Sequence, residues 1–367
     1  MIEVKAPGKI MLAGEWSILE PGHSCIVLPV NKFVAVRIQE SKKIIFSSED
    51  IGLKNVILQW ALENLMGHLT VDPVLPERLM AKFNVCFCAI KNCLQFLTEQ
   101  GISIKPFELS VYSGLSGVKI DGSNFVKPGL GSSAAVTVAV CKAILKFHDI
   151  DIYSVKNLEL VFKLACLSHY FASGKLGSGF DVACSAYQRP IIYRRFNAEW
   201  LENEICSAKN ISNIVLLDWP DLRMSEIKLP ENMQVLIGFV GYSASTTKMI
   251  GKMNLFKDSQ PEIYQSIMQS INLVVLNLIS AIQRNNKFQI IDLINQNRDL
   301  LANLGAESGI ELETKELKRL IDSAQVCGAA AKSSGAGGGD CGIAVCFDKI
   351  IADEITDEWN RAGIKSI

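Results

Sequence analysis

The sequence predicts an α+β protein built as two closely packed lobes, and three observations lead there. The chain has 367 residues, 49% of them hydrophobic, enough for two cores at roughly 150 residues per domain. Its two ends carry β-branched runs broken by turn residues, while long stretches between them repeat apolar residues at helical spacing. No fixed-period repeat or low-complexity linker parts the halves. The lobes, expected at 1–200 and 201–367, should therefore pack closely.

Ile2 to Lys5 reads as a strand entering the turn Ala6-Pro7-Gly8-Lys9, and Cys25 to Val30 and Phe33 to Ile38 read as two more in a hairpin-rich opening. Leu53 to Leu69 and Glu77 to Thr98 show helical spacing, as in Val56, Trp60, Leu62 and Leu65, which predicts two helices parted by Pro73 and Pro76. Phe107 to Tyr112 returns to strand character, and Asn124 to Lys127 reads as a short strand before Pro128. Ser133 to Phe147 is an almost wholly apolar helix, suited to a central position. Helices at about Ser154 to Ala172 and Gly179 to Tyr187 precede a strand at Pro190 to Arg195. Ile214 to Leu217 and Val235 to Val240 read as strands, followed by a helix opening at Ser243 to Lys248. Amphipathic helices at about Pro261 to Gln283, Lys287 to Leu304 and Thr314 to Ala324 lead to strands at Ala329 to Ser333 and Cys341 to Phe347, and a last helix spans Asp348 to Ala362.

With 37 Lys+Arg against 38 Asp+Glu the formal net charge is −1. That balance, without basic blocks, argues against nucleic-acid partners yet permits a local positive pocket for a small anion. No run of eighteen uncharged apolar residues occurs and the N-terminus lacks a signal-peptide core, so no membrane partner and a cytoplasmic location are expected. The eleven cysteines mostly sit in apolar segments and read as reduced core thiols. Cys86 and Cys88, two apart on a predicted helix, point to different faces and do not converge on a metal.

Three segments can carry chemistry. Pro128-Gly129-Leu130-Gly131-Ser132-Ser133-Ala134 is a glycine turn feeding a helix N-terminus, where free N–H groups and the helix dipole suit a phosphate; a plain capped helix fits the same residues. Gly129-x-Gly131-x-x-Ala134 also matches a dinucleotide fingerprint, but the hairpin-rich opening does not supply the parallel strands that reading needs. Gly335-Ala336-Gly337-Gly338-Gly339 lies between two strands, and so many glycines point to close backbone approach by a ligand, against the alternative of a flexible surface hairpin. Lys175-Leu176-Gly177-Ser178-Gly179-Phe180-Asp181 sets a carboxylate at a helix start, where an acid also simply complements the dipole. Lys9, after Pro7-Gly8, is a cation suited to hold such a carboxylate ionised.

In order along the chain, Lys5-Ala6-Pro7-Gly8-Lys9 with Gly14-Glu15, the Gly-Leu-Gly-Ser-Ser-Ala turn and Lys332 to Gly342 resemble the three motifs of the GHMP kinase superfamily. Gly14 to Gly22, Gly177 to Ala183, Tyr193-Arg194-Arg195-Phe196, Gly241-Tyr242-Ser243 and the glycine tract are most similar to the branch that acts on 5-phosphomevalonate. The resemblance implies an N-terminal ribosomal-protein-S5-like lobe, a C-terminal ferredoxin-like lobe and ATP between them. It implies ATP-dependent phosphorylation of 5-phosphomevalonate to 5-diphosphomevalonate, by a monomer or homodimer. Mevalonate or another small molecule as acceptor, or a non-catalytic nucleotide-binding protein of the same fold, are the rival readings.

Carried over by position, Lys9 and Asp181 are the catalytic pair, Asp181 orienting Lys9 and the acceptor. Lys127, Gly129, Leu130, Gly131, Ser132, Ser133 and Ala134 would hold the nucleotide phosphates, with the Ser133 hydroxyl on Mg²⁺. Ser178, Arg194, Ser243 and Ser245 would face the acceptor with Lys9 and Asp181, and Ser334, Gly335 and Ala336 would lie against it. Where several mevalonate-type relatives carry a metal-binding glutamate, this chain has Leu167-Ser168-His169-Tyr170, which leaves Mg²⁺ to serine, water and phosphates.

Overall fold

The computed structural model describes residues 1–63, 66–115, 118–121, 124–126, 128–208, 210–242 and 246–367. The chain opens with β1 (Ile2–Ala13) and β2 (Ser24–Glu40), a long antiparallel pair in which Ile2 faces Ile38 and Lys9 faces Pro29. β3 (Ile44–Ser48), β4 (Leu53–Glu63) and β5 (Met66–Asp72) follow, then α1 (Glu77–Glu99) and β6 (Phe107–Ser113). After the small hairpin β7 (Val118–Asp121) and β8 (Asn124–Val126) come α2 (Ser132–Phe147), α3 (Val155–Ser173), α4 (Phe180–Tyr187) and β9 (Ile191–Arg194). α5 (Ala198–Ser207), α6 (Ser212–Val215) and β10 (Arg223–Glu226) complete the first lobe. Its eight-stranded sheet runs β10-β9-β2-β6-β3-β4-β5 with β1 also on β2, and β3 and β6 are parallel. Because β10 belongs to this sheet, the lobe extends past residue 200, to the link between Glu226 and Gln234.

The second lobe contains β11 (Gln234–Phe239), α7 (Thr246–Ser259), α8 (Pro261–Gln283), α9 (Lys287–Ser308), α10 (Lys315–Val326), β12 (Ala330–Ser334), β13 (Cys341–Cys346), α11 (Lys349–Arg361) and β14 (Lys365–Ser366). Its antiparallel sheet has the order β12-β13-β11-β14. α8 has the length and apolarity of a membrane span, yet Val275 and Leu278 are buried in the main core and Ile271 in a smaller one. That main core continues from β1 through α2 and α8 to Ile343 and Val345 of β13, so both lobes share it.

α2 explains why the glycine turn that precedes it is held firmly. Val138, Ala139, Cys141, Ile144 and Leu145 are fully buried against α1, β1 and β2, and each large side chain contributes roughly 1.5–3 kcal/mol. Small alanines at 134, 135, 139 and 143 let the helix sit against the strands. The expected central helix is therefore present, beginning one residue early at Ser132.

Several sequence expectations fail. Ala6-Pro7-Gly8-Lys9 is not a turn but lies inside β1, which runs from Ile2 to Ala13 with a register shift between Pro7 and Lys9, and the two strands expected between Cys25 and Ile38 are one strand, β2. The described residues of Leu53 to Leu69 form the antiparallel strands β4 and β5 and not a helix, and Leu65 lies outside them. Val56 and Trp60, four apart, fit both periods, but burial alternates at Val56 and Leu58 in the strand manner, and Trp60 covers Gly67, where a Cβ would lie 2.3 Å from the indole. Ile214 to Leu217 is not a strand: Ile214 and Val215 end the single turn α6. The Glu99 carboxylate, from α1, accepts from Ile211 N at 3.1 Å and Ser212 N at 2.7 Å, and this capping across 113 residues has no local signature.

Candidate active site

The sequence places αL-compatible glycines where the chain must turn sharply toward a cavity. Gly131 has φ +74° directly before α2, and a Cβ there would lie 3.0 Å from Lys9 Cγ and 3.5 Å from Asp181 Cβ. The turn is tied to β1: Lys9 N donates to Leu130 O at 2.8 Å, and Lys9 Nζ donates to Gly129 O at 2.8 Å. Leu130 is buried, so its side chain anchors the turn. Lys9 itself is 9% exposed and lies over the Phe180 ring at 5.4 Å.

The third glycine segment comes back from the far end of the chain. Gly335, Gly337, Gly338 and Gly339 all have positive φ. Gly337 and Gly339 need to be glycine for internal reasons, since a Cβ would fall 2.5 Å from Leu312 O in one case and 2.6 Å from the Tyr242 ring in the other. A Cβ at Gly335 would meet nothing within 4 Å. The two cradles face each other: the Asp340 carboxylate accepts from Gly129 N at 2.7 Å.

Between them lies a cleft of about 760 Å³, ample for a nucleotide tail and a small acceptor. Lys9, Gly129, Gly131, Ser132, Ser133, Ser178, Asp181, Ser334, Gly335 and Ala336 all line it. Leu130 and Ala134 are buried and do not. Asp181 sits in the first turn of α4, with Oδ1 accepting from Val182 N at 2.9 Å. Lys9 and Asp181 thus share the cleft, with the lysine turned onto Gly129 O. The Ser334 hydroxyl is spent on β1, accepting from Met11 N at 3.0 Å and donating to Met11 O at 2.8 Å. Its contribution is to stitch the lobes.

Arg194 is not a cleft residue: its Nε donates to Asp221 O at 3.0 Å. The next residue, Arg195, is the one that lines the cleft. Its NH1 and NH2 make long contacts with Leu19 O (3.4 Å) and Gly177 O (3.3 Å), while Nε is buried without a partner. Burial lowers its pKa, although a guanidinium stays charged. Arg194 ends β9 and Arg195 follows it, so the pair is legible in the sequence and the side each residue takes is not. Lys127, Ser243 and Ser245 lie outside the described residues.

Other cleft groups had weaker sequence signals. Lys257 of α7 donates to Glu20 at 2.7 Å, and Tyr264 of α8 donates to the same carboxylate at 2.7 Å. Glu15 is buried in an ion pair with Lys332 of β12, both side chains being 0% exposed. Burial pushes the Lys332 pKa down while Glu15 pulls it up. Ser133 Oγ is 3.0 Å from His169 Nε2, and Ser132 Oγ is buried without a partner. No group of three His, Cys, Asp or Glu able to hold a metal occurs among the described residues.

Such facing cradles, with a lysine and an aspartate between them, define a small-molecule phosphotransferase. Two family models match the chain, "GHMP kinases N terminal domain" over residues 84–189 and "GHMP kinases C terminal" over residues 278–365; the chain belongs to the GHMP kinase family. It is 28% identical to a phosphomevalonate kinase of Streptomyces sp. strain CL190, over 98% of this chain and 94% of that protein. Among solved structures, the Lin0012 protein from Listeria innocua superposes with a TM-score of 0.85 at 31% identity, covering 100% of this chain and 96% of that one. The Streptococcus pneumoniae phosphomevalonate kinase in complex with phosphomevalonate and AMPPNP superposes with a TM-score of 0.80 at 27% identity, covering 100% and 98%.

Proposed function

We propose that this protein transfers the γ-phosphoryl group of ATP to the phosphate of 5-phosphomevalonate, giving 5-diphosphomevalonate and ADP. The observation that carries the reading is the approach of two glycine cradles from opposite ends of the chain, joined at Gly129 and Asp340. The full-length likeness to phosphomevalonate kinases supports the choice of acceptor.

The attacking atom is a phosphate oxygen, ionised near neutral pH, so no strong base is required. Alignment and neutralisation of charge dominate. In this reading the N-terminus of α2 and the N–H groups of residues 129–133 hold the nucleotide phosphates. Lys9 swings from Gly129 O to bridge the transferring group and the acceptor oxygen, while Asp181 positions acceptor and lysine. Arg195, a charged donor with an unspent Nε, takes an anionic end of the acceptor. As a phosphate oxygen of the acceptor bonds to the γ-phosphorus, the bond from that phosphorus to the β–γ bridging oxygen breaks and the electrons leave with ADP.

The residues present fit Mg²⁺. The unpartnered Ser132 hydroxyl and the Ser133 hydroxyl, which can donate to His169 and keep its lone pairs free, would supply the protein oxygens, with phosphates and water completing the set. Bound there, the ion would screen the nucleotide phosphates as the acceptor approaches.

An ADP-release assay with mevalonate, 5-phosphomevalonate and 5-diphosphomevalonate tests the proposal. Turnover on 5-phosphomevalonate alone is expected; turnover on mevalonate alone, or ATP binding with no transfer to any of them, overturns it.

A further inference from the structure

The first lobe holds a second cavity, of about 240 Å³, that shares no lining residue with the active-site cleft. Its walls include Lys5 of β1, Lys142 of α2, Tyr153 of the α2–α3 loop and Gln188 just after α4. Lys142 is 1% exposed, and its ammonium donates once, to Ala186 O. Among the described residues no carboxylate pairs with it; desolvation lowers its pKa, to about 8. A buried ammonium normally has a counter-ion and three acceptors. Two of its three donors lack a partner among the described residues. Glu3, also on the wall, is committed to Arg37 at 2.7 Å and to Lys5 at 3.5 Å. Around Tyr153 the charged groups are Lys146, 3.5 Å from its hydroxyl, and Asp151, whose carboxylate accepts from Tyr153 N.

We propose that this cavity is a second oxyanion site, in which a small carboxylate or phosphate accepts hydrogen bonds from the Lys142 ammonium. The volume suits an anion of a few heavy atoms and is too small for a nucleotide. The site is built onto the catalytic elements. Ala186 lies in the last turn of α4, whose first turn carries Asp181. Ser185 Oγ donates to Pro7 O at 2.8 Å and Gln188 Nε2 to Lys5 O at 2.6 Å, tying that helix end to the strand that carries Lys9. An anion that draws the ammonium away from Ala186 O shifts this end of α4, so occupancy alters turnover.

The test fills the cleft with a non-hydrolysable ATP analogue and 5-phosphomevalonate, then titrates inorganic phosphate or malonate at fixed ionic strength made up with chloride while following the thermal midpoint. A saturable rise in the wild type is expected. Its half-saturating concentration should increase roughly tenfold or more in Lys142→Met, the cost of losing a charged hydrogen bond. Should that variant fail to fold, Lys5→Glu, on the exposed rim, places a second carboxylate at the cavity and should weaken the same response. Saturation by phosphate alone, by malonate alone or by both identifies the class of anion bound. No saturable rise in the wild type, or an identical rise in the variants, overturns the site. Steady-state turnover at saturating substrates should change with the anion in the wild type and not in Lys142→Met; binding with unaltered turnover overturns the coupling to α4.

Discussion

At the scale of single residues, the sequence exposed the chemistry but not the pairing. Lys9 and Asp181 both reach the cleft, yet the lysine rests on Gly129 O and the aspartate on its own helix N-terminus. If Asp181 acts by positioning, Asp181→Asn should lower kcat roughly tenfold to a hundredfold while ATP affinity changes by less than about twofold; steady-state kinetics and nucleotide titration measure both. The adjacent arginines give a sharper contrast. Arg195→Met should raise KM for the acceptor about tenfold to a hundredfold with KM for ATP nearly constant, whereas Arg194→Met should leave both near wild type. Motif reading found the Arg-Arg pair, but which one faces inward depends on the register of β9 against β2, fixed by pairs such as Ser24 with Arg194.

Lys142 gives a residue-scale prediction in pH. Its ammonium titrates near 8 in the folded chain against 10.5 when unperturbed. Between those values the unfolded chain holds the proton and the folded chain has released it, so stability rises with pH across that window. Below pH 8 the cost of burying the charge is fully present, about 3 kcal/mol on this shift. The stability difference between wild type and Lys142→Met, from urea unfolding at steps from pH 7 to 10.5, should therefore move in favour of the wild type as pH rises. A difference that stays flat would mean the lysine keeps an ordinary pKa.

Secondary-structure elements were legible where one period dominated. α8 appears with the expected bounds, Pro261–Gln283, because apolar residues recur on one face and Pro261 starts it. The hairpin β4–β5 was misread because Val56 and Trp60 satisfy both periods, and only tertiary burial separates them. The glycine tract was found, but its purpose was mixed. Gly337 and Gly339 make room for Leu312 O and Tyr242, whereas Gly335 has no neighbour in the way. Gly337→Ala should therefore cost roughly 2 kcal/mol or more, combining a left-handed backbone with a clash against a carbonyl. Gly335→Ala, equally left-handed but without the clash, should cost only about 1 kcal/mol. Denaturant midpoints of the two variants measure the difference, and equal losses would show that backbone strain alone sets the glycine requirement.

At the scale of the whole molecule, the sequence indicated two closely packed lobes without showing which contacts join them. The join is polar as well as apolar: Glu15, two residues past the end of β1, meets Lys332 of β12 with both side chains fully buried, and Ser334 bridges Met11 N and Met11 O. The main hydrophobic core runs through both lobes around these contacts. Breaking one half of the buried pair strands the other charge in a medium that cannot solvate it, so Lys332→Met should destabilise the protein by about 3–5 kcal/mol. Removing both charges with Glu15→Gln and Lys332→Met restores part of that loss, because no lone charge remains. The shared core further predicts that urea unfolding followed by fluorescence and by circular dichroism will trace one coincident transition for the wild type. Two separated transitions would mean that each lobe folds on its own, and a double variant no more stable than Lys332→Met would mean that the pair acts through packing and not through charge.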